Sequence, residues 1–326
     1  MTAERLDAFM ARANAAYYAR ESSPFSEFTT APEVTQVFGE LLGAWAAVVW
    51  RAMGAPVPVM LVELGPGRGT LMADALRAVG AVAADFAAAL RLHLVEFSPT
   101  LRAAQAQILP GATWHADLSS VPPGPTLAIA NEFFDALPIR QFVRRGAGWA
   151  ERFVSAGRFV ERETAGPGRD AADGEVVEIG EAGRAVMRTL AVRIAAQGGA
   201  ALVIDYGPAD SAPGDSFQAL RDGRPADPLT DPGTADLTAH VDFRAIAAAA
   251  REAGAATHGP VPQGKFLAEL GLFQRTGALA RTQPPARASA LLEAARRLAE
   301  PDAMGRLFKA LCVCHPALPS PPGFPA

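Results

Sequence analysis

The sequence predicts an α/β protein: a mostly parallel sheet with an N-terminal helical segment and inserted antiparallel strands and loops. The first observation is a series of short apolar runs, with helical stretches between the early ones, near residues 59–63, 91–95, 112–115, 126–130 and 200–204. Such alternation is typical of a parallel sheet with helices on both faces. The second is a glycine-rich turn that leads from the first strand into a helix.

The first 57 residues read as helical, and we expect segment 1–57 to form a lid or substrate-binding element. The run Thr30–Glu33 has the pattern of a capping box, with Thr30 as N-cap and Glu33 reaching back. Apolar residues then recur at helical spacing from Val34 to Val49. This stripe predicts a helix that packs against the sheet.

The main domain is predicted over 58–315, with insertions near 139–185 and 207–241. The first insertion alternates strand-like runs with glycine turns, which favours an antiparallel meander. The second is rich in Gly, Pro and Asp and predicts a long loop. A helix near Asp242–Ala253, a final strand over Leu307–His315 and a disordered proline-rich tail, 316–326, complete the prediction.

Composition excludes several classes of protein. The 326 residues, 50% of them hydrophobic, suffice for one large domain with additions or for two domains. A net charge of −4 leaves no basic excess for nucleic acid. No apolar run approaches the roughly 18 residues of a membrane span, and the charged start does not resemble a signal peptide. Cys312 and Cys314 share one strand face, which predicts buried thiols rather than a disulfide or metal site. We therefore expect a cytoplasmic protein of undefined oligomeric state.

The most informative motif is VELGPGRGT, in which Glu63 ends a buried strand and Gly65, Gly67 and Gly69 follow. Glycines allow the backbone to turn tightly and approach a ligand closely. Dinucleotide enzymes favour GxGxxG around a pyrophosphate, beside which a carboxylate would be unfavourable. The arrangement here resembles the first motif of S-adenosylmethionine (AdoMet) methyltransferases, whose ligand is cationic. An ordinary glycine turn, or an NAD-dependent oxidoreductase, remains the alternative.

Two further acidic residues follow the next strands and are candidate cofactor ligands. Glu96 ends the second strand, where nucleotide-binding α/β folds hold ribose hydroxyls. Asp117 follows a short third strand and could accept a hydrogen bond from an adenine amino group. Asp117 could equally be a plain cap of a helix or turn.

The fourth and fifth strands are also followed by polar residues. Asn131, Glu132 and Asp135 come directly after the fourth strand, beside two phenylalanines. Ligands of open α/β sheets bind at the carboxyl ends of the strands, so we predict these three residues to be catalytic. Asp205 follows the fifth strand and is either a substrate ligand or a turn former before glycine.

Together these motifs resemble the MidA-like family, which includes a mitochondrial methyltransferase that assists the assembly of respiratory complex I. The resemblance runs nearly end to end and also covers the blocks LVEFSP, NEFFDALPIRQF, VIDYG, DPLTDPGTADLTAHVDF, QGKFLAELG and MGRLFKALCVCHP. It implies a Rossmann-like class I methyltransferase that uses AdoMet. It also implies a protein arginine as methyl acceptor, on a subunit of NADH dehydrogenase.

Several residues could contact such an acceptor. Glu27 and Glu33 in the N-terminal segment could pair with a guanidinium, although Glu33 also fits the capping box. Ser26-Glu27 stands where the family pattern leads us to expect Gly-Asp, which leaves the role of Glu27 open. His240 could contact substrate or serve as a structural hydrogen-bonding residue.

The sequence is also compatible with two other functions. One is a small-molecule O- or N-methyltransferase on the same scaffold, which a deep closed apolar pocket would favour. The other is a non-catalytic assembly partner that retains an AdoMet cleft.

Overall fold

A computed structural model gives the fold and describes residues 3–20 and 30–325. The strands in this part of the chain are β1 (Glu4–Arg5), β2 (Val59–Leu64), β3 (Leu90–Val95), β4 (Thr113–His115), β5 (Thr126–Asn131), β6 (Arg140–Arg145), β7 (Gly148–Ser155), β8 (Arg158–Thr164), β9 (Val176–Ile179), β10 (Gly199–Tyr206), β11 (Gln218–Arg221), β12 (Arg224–Ala226), β13 (Asp236–Thr238), β14 (Ala256–Pro262) and β15 (Phe308–Cys314).

The helices in the same ranges are α1 (Leu6–Tyr18), α2 (Ala31–Val34), α3 (Gln36–Ala52), α4 (Thr70–Val82), α5 (Ala84–Ala89), α6 (Pro99–Ile108), α7 (Glu181–Gln197), α8 (Phe243–Glu252), α9 (Gln263–Glu269), α10 (Leu272–Ala280), α11 (Pro285–Ala299) and α12 (Met304–Leu307).

The described residues form a central sheet of seven strands in the order β14-β15-β10-β5-β2-β3-β4. Strands β4, β3, β2, β5 and β10 run parallel, and β15 is antiparallel to both of its neighbours. The predicted α/β class, with a mostly parallel, Rossmann-like sheet, is confirmed.

Both faces of the sheet are covered, as the continuous apolar strands require. Along β2, Val59 and Leu61 face one core with α3, α4 and α5, whereas Met60 and Val62 face a second core with α7 and α8. This alternation follows from the two-residue period of a strand. Cys312 and Cys314 are buried free thiols on one face of β15, as predicted.

Helix α3 packs unusually closely on α4, and two glycines make this possible. A Cβ at Gly39 would lie 2.7 Å from the Leu71 carbonyl oxygen, and one at Gly43 would lie 2.8 Å from that of Ala75. Any larger residue would therefore force these helices apart.

Three sequence-based expectations about local structure are wrong. The predicted capping box does not start one long helix, because α2 ends at Val34 and Thr35 caps α3 by accepting from Val37 N. The long loop within 207–241 contains the strands of a small sheet, β12-β11-β13. The proline-rich tail is packed: Phe324 is buried, with its ring centroid 5.3 Å from that of Phe266.

The antiparallel meander is present, in a sheet that the N-terminus joins. Strands β6 to β9 form it, and β1 pairs with β7 through Glu4 and Val154. Helix α1 then packs against β13 and the meander, with Leu6, Phe9 and Met10 in a shared core. The N-terminal segment is thus attached to both insertions.

A buried carboxylate ties α3 to two other helices. Glu40 Oε2 accepts from Arg275 Nε at 2.6 Å, and its Oε1 lies 3.0 Å from Arg77 Nη2 and accepts from Gln36. Burial opposes ionisation of Glu40, but these three donors outweigh it, so the pKa of the carboxyl is lowered.

We expect Glu40→Gln to reduce the free energy of unfolding by about 1–2 kcal/mol at pH 7, because charged hydrogen bonds are lost. A lowered folded-state pKa stabilises the protein above the unfolded-state pKa, and that contribution disappears as pH falls through the folded value. Urea unfolding at pH 7 and at pH 3 measures the difference. The control is Asp85→Asn, whose exposed pair with Arg51 should contribute little. An equal loss of stability in Glu40→Gln at both pH values would contradict this account.

Candidate active site

The carboxyl ends of β2, β3, β5 and β10 meet beneath a cavity of about 740 Å³. Parallel pairing places Leu64 opposite Ala130, and Ile204 opposite Asn131, so the residues that follow these strands share one edge. Helix α1 and strand β13 close the cavity from the other side. This is the edge at which ligands bind in open α/β sheets.

The glycine turn forms the floor beside β2. Gly65, Gly67 and Gly69 all have positive φ, at 63°, 54° and 82°. A Cβ at Gly65 would lie only 2.8 Å from Phe133 Cδ2, so this position has no room for a side chain. Gly69 is the N-cap of α4 and faces Leu109 instead, so its role is in packing.

Glu63 lies at the end of β2 under this turn and is buried, with 3% of its surface exposed. Its Oε2 has no hydrogen-bond partner in the described part of the chain. Burial raises the pKa of Glu63 to about 8. A carboxyl held in this way will ionise readily only beside a cation or a strong donor.

Glu96 is also buried and lines the same cavity. Its Oε1 accepts from Ser98 N at 2.8 Å, and burial raises the pKa of the carboxyl. Gln105 connects it to the glycine turn: its amide donates to the Gly67 carbonyl at 2.7 Å and to Glu96 Oε2 at 3.4 Å. The sequence analysis missed Gln105, since nothing in α6 marks it apart from the other polar residues.

Asp117 lines the cavity, but its carboxylate is occupied by its own turn. Oδ1 accepts from Ser119 N, Ser120 N and the Ser119 hydroxyl at 2.9, 3.2 and 2.5 Å. These bonds cap the short 3₁₀ turn Leu118–Ser120. Asp117 is therefore a cap of this turn, and the expected contact with adenine would have to use its Oδ2.

The turn after β5 carries Asn131, Glu132 and Asp135. Glu132 has a φ of +49°, a conformation that non-glycine residues seldom adopt. Its Oε1 accepts from Ala31 N at 3.0 Å and from Asn131 Nδ2 at 3.1 Å. Burial raises the pKa of Glu132 to about 7, and the charges on Asp135 and Glu33 add to that rise.

Asp135 and Asn131 each present an unsatisfied acceptor. Asp135 Oδ1 and Asn131 Oδ1 are buried without hydrogen-bond partners among the described residues. Burial raises the pKa of Asp135 to about 6, against the effect of the Tyr206 hydroxyl beside it. The structure therefore brings the three predicted catalytic residues together at one wall of the cavity.

The expectation that Asp205 binds substrate is corrected by its position. The residue is fully buried, and its Oδ2 accepts from the backbone N–H groups of Phe133, Phe134 and Asp135 at 2.9–3.2 Å. Its Oδ1 accepts from Tyr206 N. Asp205 thus holds the turn that carries Glu132 from below, a role that differs from both the substrate ligand and the turn former before glycine that the sequence suggested.

The three remaining substrate candidates lie in different places. Glu33 lines the cavity and lies 3.4 Å from Arg68 Nη1. Glu27 falls outside the described residues. His240 lines a separate cavity, where its ring meets that of Tyr206 edge-on at 5.6 Å.

Helix α1 contributes cavity residues that the sequence analysis missed. Tyr18 donates from its hydroxyl to Asp236 Oδ1 at 2.8 Å, and its carbonyl accepts from the Ser98 hydroxyl at 2.7 Å. Asn14 donates to the carbonyls of Ala136 and Leu237 and accepts from Leu237 N. The end of α1 is thereby fastened both to the Glu96 turn and to the Asp135 turn.

The unsatisfied oxygens define the chemistry that the cavity can take. Three buried oxygens lack a partner among the described residues: Glu63 Oε2, Asn131 Oδ1 and Asp135 Oδ1. An amide oxygen accepts hydrogen bonds and an ionised carboxylate can only accept them, so these atoms require donors or positive charge. A phosphate would be repelled here. The residues therefore fit AdoMet, which carries an ammonium and a sulfonium.

Residues 3–20 and 30–325 contain neither a metal-binding group nor a membrane-spanning helix. No group of three or more His, Cys, Asp or Glu side chains there could hold a metal ion. Over the same ranges, no helix has the length and apolar character needed to cross a membrane.

Fold and site together define a class I AdoMet-dependent methyltransferase. The sequence profile of a family described as "Putative S-adenosyl-L-methionine-dependent methyltransferase" matches residues 41–261, and the chain belongs to this family. The resemblance to MidA-like proteins is thereby confirmed.

Curated relatives and a solved structure agree with this assignment. The chain is 34% identical to "Protein arginine methyltransferase NDUFAF7, mitochondrial" of Danio rerio, over 89% of this chain and 77% of the relative. It is 37% identical to the protein of that name from Homo sapiens, over 86% of this chain and 72% of the relative. A Burkholderia thailandensis protein solved with S-adenosyl-homocysteine superposes with a TM-score of 0.81 at 26% identity, covering 98% of this chain and 90% of the other.

The expectation of a cytoplasmic location is wrong on this finding. It rested on the free cysteines and on the charged N-terminus. The curated relatives that match are named as mitochondrial proteins, so their names point to mitochondria and away from the cytoplasm.

We expect Glu63→Gln to weaken AdoMet binding by about tenfold or more, since a charged hydrogen bond contributes about 1.5–3 kcal/mol. The same change should leave Tm at pH 8 equal or higher. A folded-state pKa of about 8, above the unfolded value, means that Glu63 destabilises the fold increasingly as pH rises from the unfolded pKa toward 8. Calorimetric titration and thermal unfolding measure the two effects, with exposed Glu252→Gln as control. Unchanged affinity would remove Glu63 from the AdoMet site.

Asp205→Asn should destabilise the protein by about 2–4 kcal/mol, because an amide NH₂ cannot accept from the backbone N–H groups that the carboxylate now satisfies. Chemical denaturation measures the loss. A direct substrate ligand would behave differently: the variant would keep its stability and lose only acceptor binding, and that outcome would refute the scaffold role.

Proposed function

We propose that this protein transfers the methyl group of AdoMet to an arginine side chain of another protein. The observation that carries the proposal is the group of unsatisfied acceptors, Asn131 Oδ1 and Asp135 Oδ1, beside Glu132 in the methyltransferase cavity. A guanidinium presents five N–H donors and a permanent positive charge, which suits such a wall of acceptors.

We propose that the cofactor is held on the β2–β3 side of the cavity. Glu63, Gly65, Gly67 and Glu96 would contact it there, with Gly69 setting the start of α4. When bound, AdoMet supplies an electrophilic methyl group on a positively charged sulfur. The turn after β5 lies next to this side, because β5 pairs directly with β2.

Glu132 and Asp135 then act on the acceptor in two ways. Their carboxylates fix the guanidinium fork and draw positive charge away from the attacking nitrogen. That nitrogen gains a methyl group and must lose one proton, and a carboxylate with a pKa of about 7 is well matched to accept it. The bond between the methyl group and the sulfonium would break in the same step, which leaves S-adenosyl-homocysteine, and Glu132 subsequently passes the proton to solvent.

Helices α1 and α2 of segment 1–57 serve in this proposal as the wall that encloses the acceptor. Helix α1 lines the cavity, and α2 donates a backbone N–H to Glu132 through Ala31. Glu33, on the same short helix, lies in the cavity and would face the approaching arginine.

The acceptor that we propose is a subunit of the respiratory NADH dehydrogenase. Support comes from relatives that are named as mitochondrial protein arginine methyltransferases, together with the family resemblance described above. The test is incubation of the protein and labelled AdoMet with extract of cells that lack it, followed by peptide mapping of the labelled site. Label on a small molecule, or on a residue other than arginine, would refute the proposal.

Glu132→Gln is expected to lower kcat by about 100-fold or more, the usual loss when a general base is removed. The glutamine oxygen can still accept from Ala31 N, so AdoMet affinity and Tm should change little. In the unmodified protein the rate should rise with pH through about 7, as Glu132 loses its proton. Single-turnover rates measured from pH 5.5 to 8.5 give both results, with Glu252→Gln as control. A variant as fast as the unmodified protein would exclude Glu132 as the base.

A further inference from the structure

A second cavity, of about 650 Å³, lies beside the first along the same edge of the sheet. It opens where β10 ends, at Gly207 and Pro208, and extends to the start of β15. Leu137 and Leu307 line both cavities, and His240 of the second cavity contacts the ring of Tyr206, which lines the first.

The charges of the second cavity differ from those of the first. Three basic residues line it without an ion-pair partner in the described ranges: Arg184, Arg306 and Lys309. Lys309 donates only to the backbone carbonyls of Arg306 and Leu307. Burial and the neighbouring Arg306 lower the pKa of Lys309, and no carboxylate of the described residues lies within ion-pair distance of its ammonium.

The acidic residues of the second cavity are mostly engaged elsewhere. Glu178 accepts from Gln141 and from the hydroxyl and backbone N–H of Ser216. Asp242 caps α8 and pairs with Arg169 at 2.9 Å. Asp302 is the one other carboxylate in the lining. Because Asp242 is paired with Arg169, three basic groups face the cavity against Asp302 and the hydrogen-bonded Glu178.

We propose that the second cavity binds the stretch of the acceptor protein next to the target arginine, and that this stretch is acidic. The inference rests on the proposed function above. An extended chain whose arginine enters the first cavity can cross Leu137 and exposed Leu307 and place neighbouring side chains beside Arg184 and Arg306. The acceptor is thus recognised at two places. Its arginine lies among the carboxylates of the first cavity, and its acidic residues lie beside the basic residues of the second.

The test uses fluorescein-labelled peptides with one arginine in a Gly/Ser background. One set carries three glutamates before or after the arginine, and a matched set carries glutamines. Anisotropy with saturating S-adenosyl-homocysteine gives Kd, and label from AdoMet gives kcat and KM on the same peptides. We expect one glutamate peptide to bind about tenfold more tightly than its glutamine match, with similar kcat. The preference should weaken at high salt.

The variant Arg184→Gln/Arg306→Gln should abolish this preference and leave AdoMet affinity unchanged, and Lys at both positions should restore it. The control is Arg188→Gln, one helical turn from Arg184 and exposed outside the cavity lining. Equal Kd for glutamate and glutamine peptides, or a preference that survives in the double variant, would overturn the inference. Methylation without charge preference would leave the proposed function intact, whereas charge-dependent binding without methylation of arginine would refute that function alone.

Discussion

The active-site wall depends on one carboxylate that never meets the solvent. Asp205 accepts four backbone N–H groups, three of them from the turn that carries Glu132 and Asp135. Burial and the charge on Asp135 raise the pKa of Asp205, and the backbone N–H groups of Tyr206 and Asp135 oppose that rise. These bonds fix the turn, and its acceptors therefore point at one place beside the β2–β3 side of the cavity.

The sequence was sufficient to predict the five parallel strands of the central sheet and β15, because most of them are short apolar runs that are buried on both faces. It missed the edge strand β14, most of whose residues are not buried. It also predicted which strand ends carry polar groups, and these groups converge because parallel strands end at one edge. It could not decide between a ligand and a cap at Asp117, or between a ligand and a turn former at Asp205. That choice depends on which backbone N–H groups lie nearby, and for Asp205 they belong to a turn about 70 residues away in sequence.

Helix α1 shows a second limit of prediction. Its apolar residues repeat at helical spacing, which predicts a buried face but not the surface that it covers. Asn14 and Tyr18 reach partners that are 80 to 223 residues distant in the chain. The small sheet of β11, β12 and β13 was missed for a related reason: its strands are short and rich in turn-forming neighbours, so local composition resembles a loop.

The left-handed backbone at Glu132 has a consequence for the protein's mutational behaviour. Glycine adopts this conformation at lower energetic cost than glutamate, so the chain tolerates strain at the centre of its site. Laboratory selection for heat resistance alone would favour glycine there and so discard the carboxylate. In a thermostable descendant of this sequence, position 132 should be inspected first, because a single substitution there can raise thermal stability and remove the carboxylate.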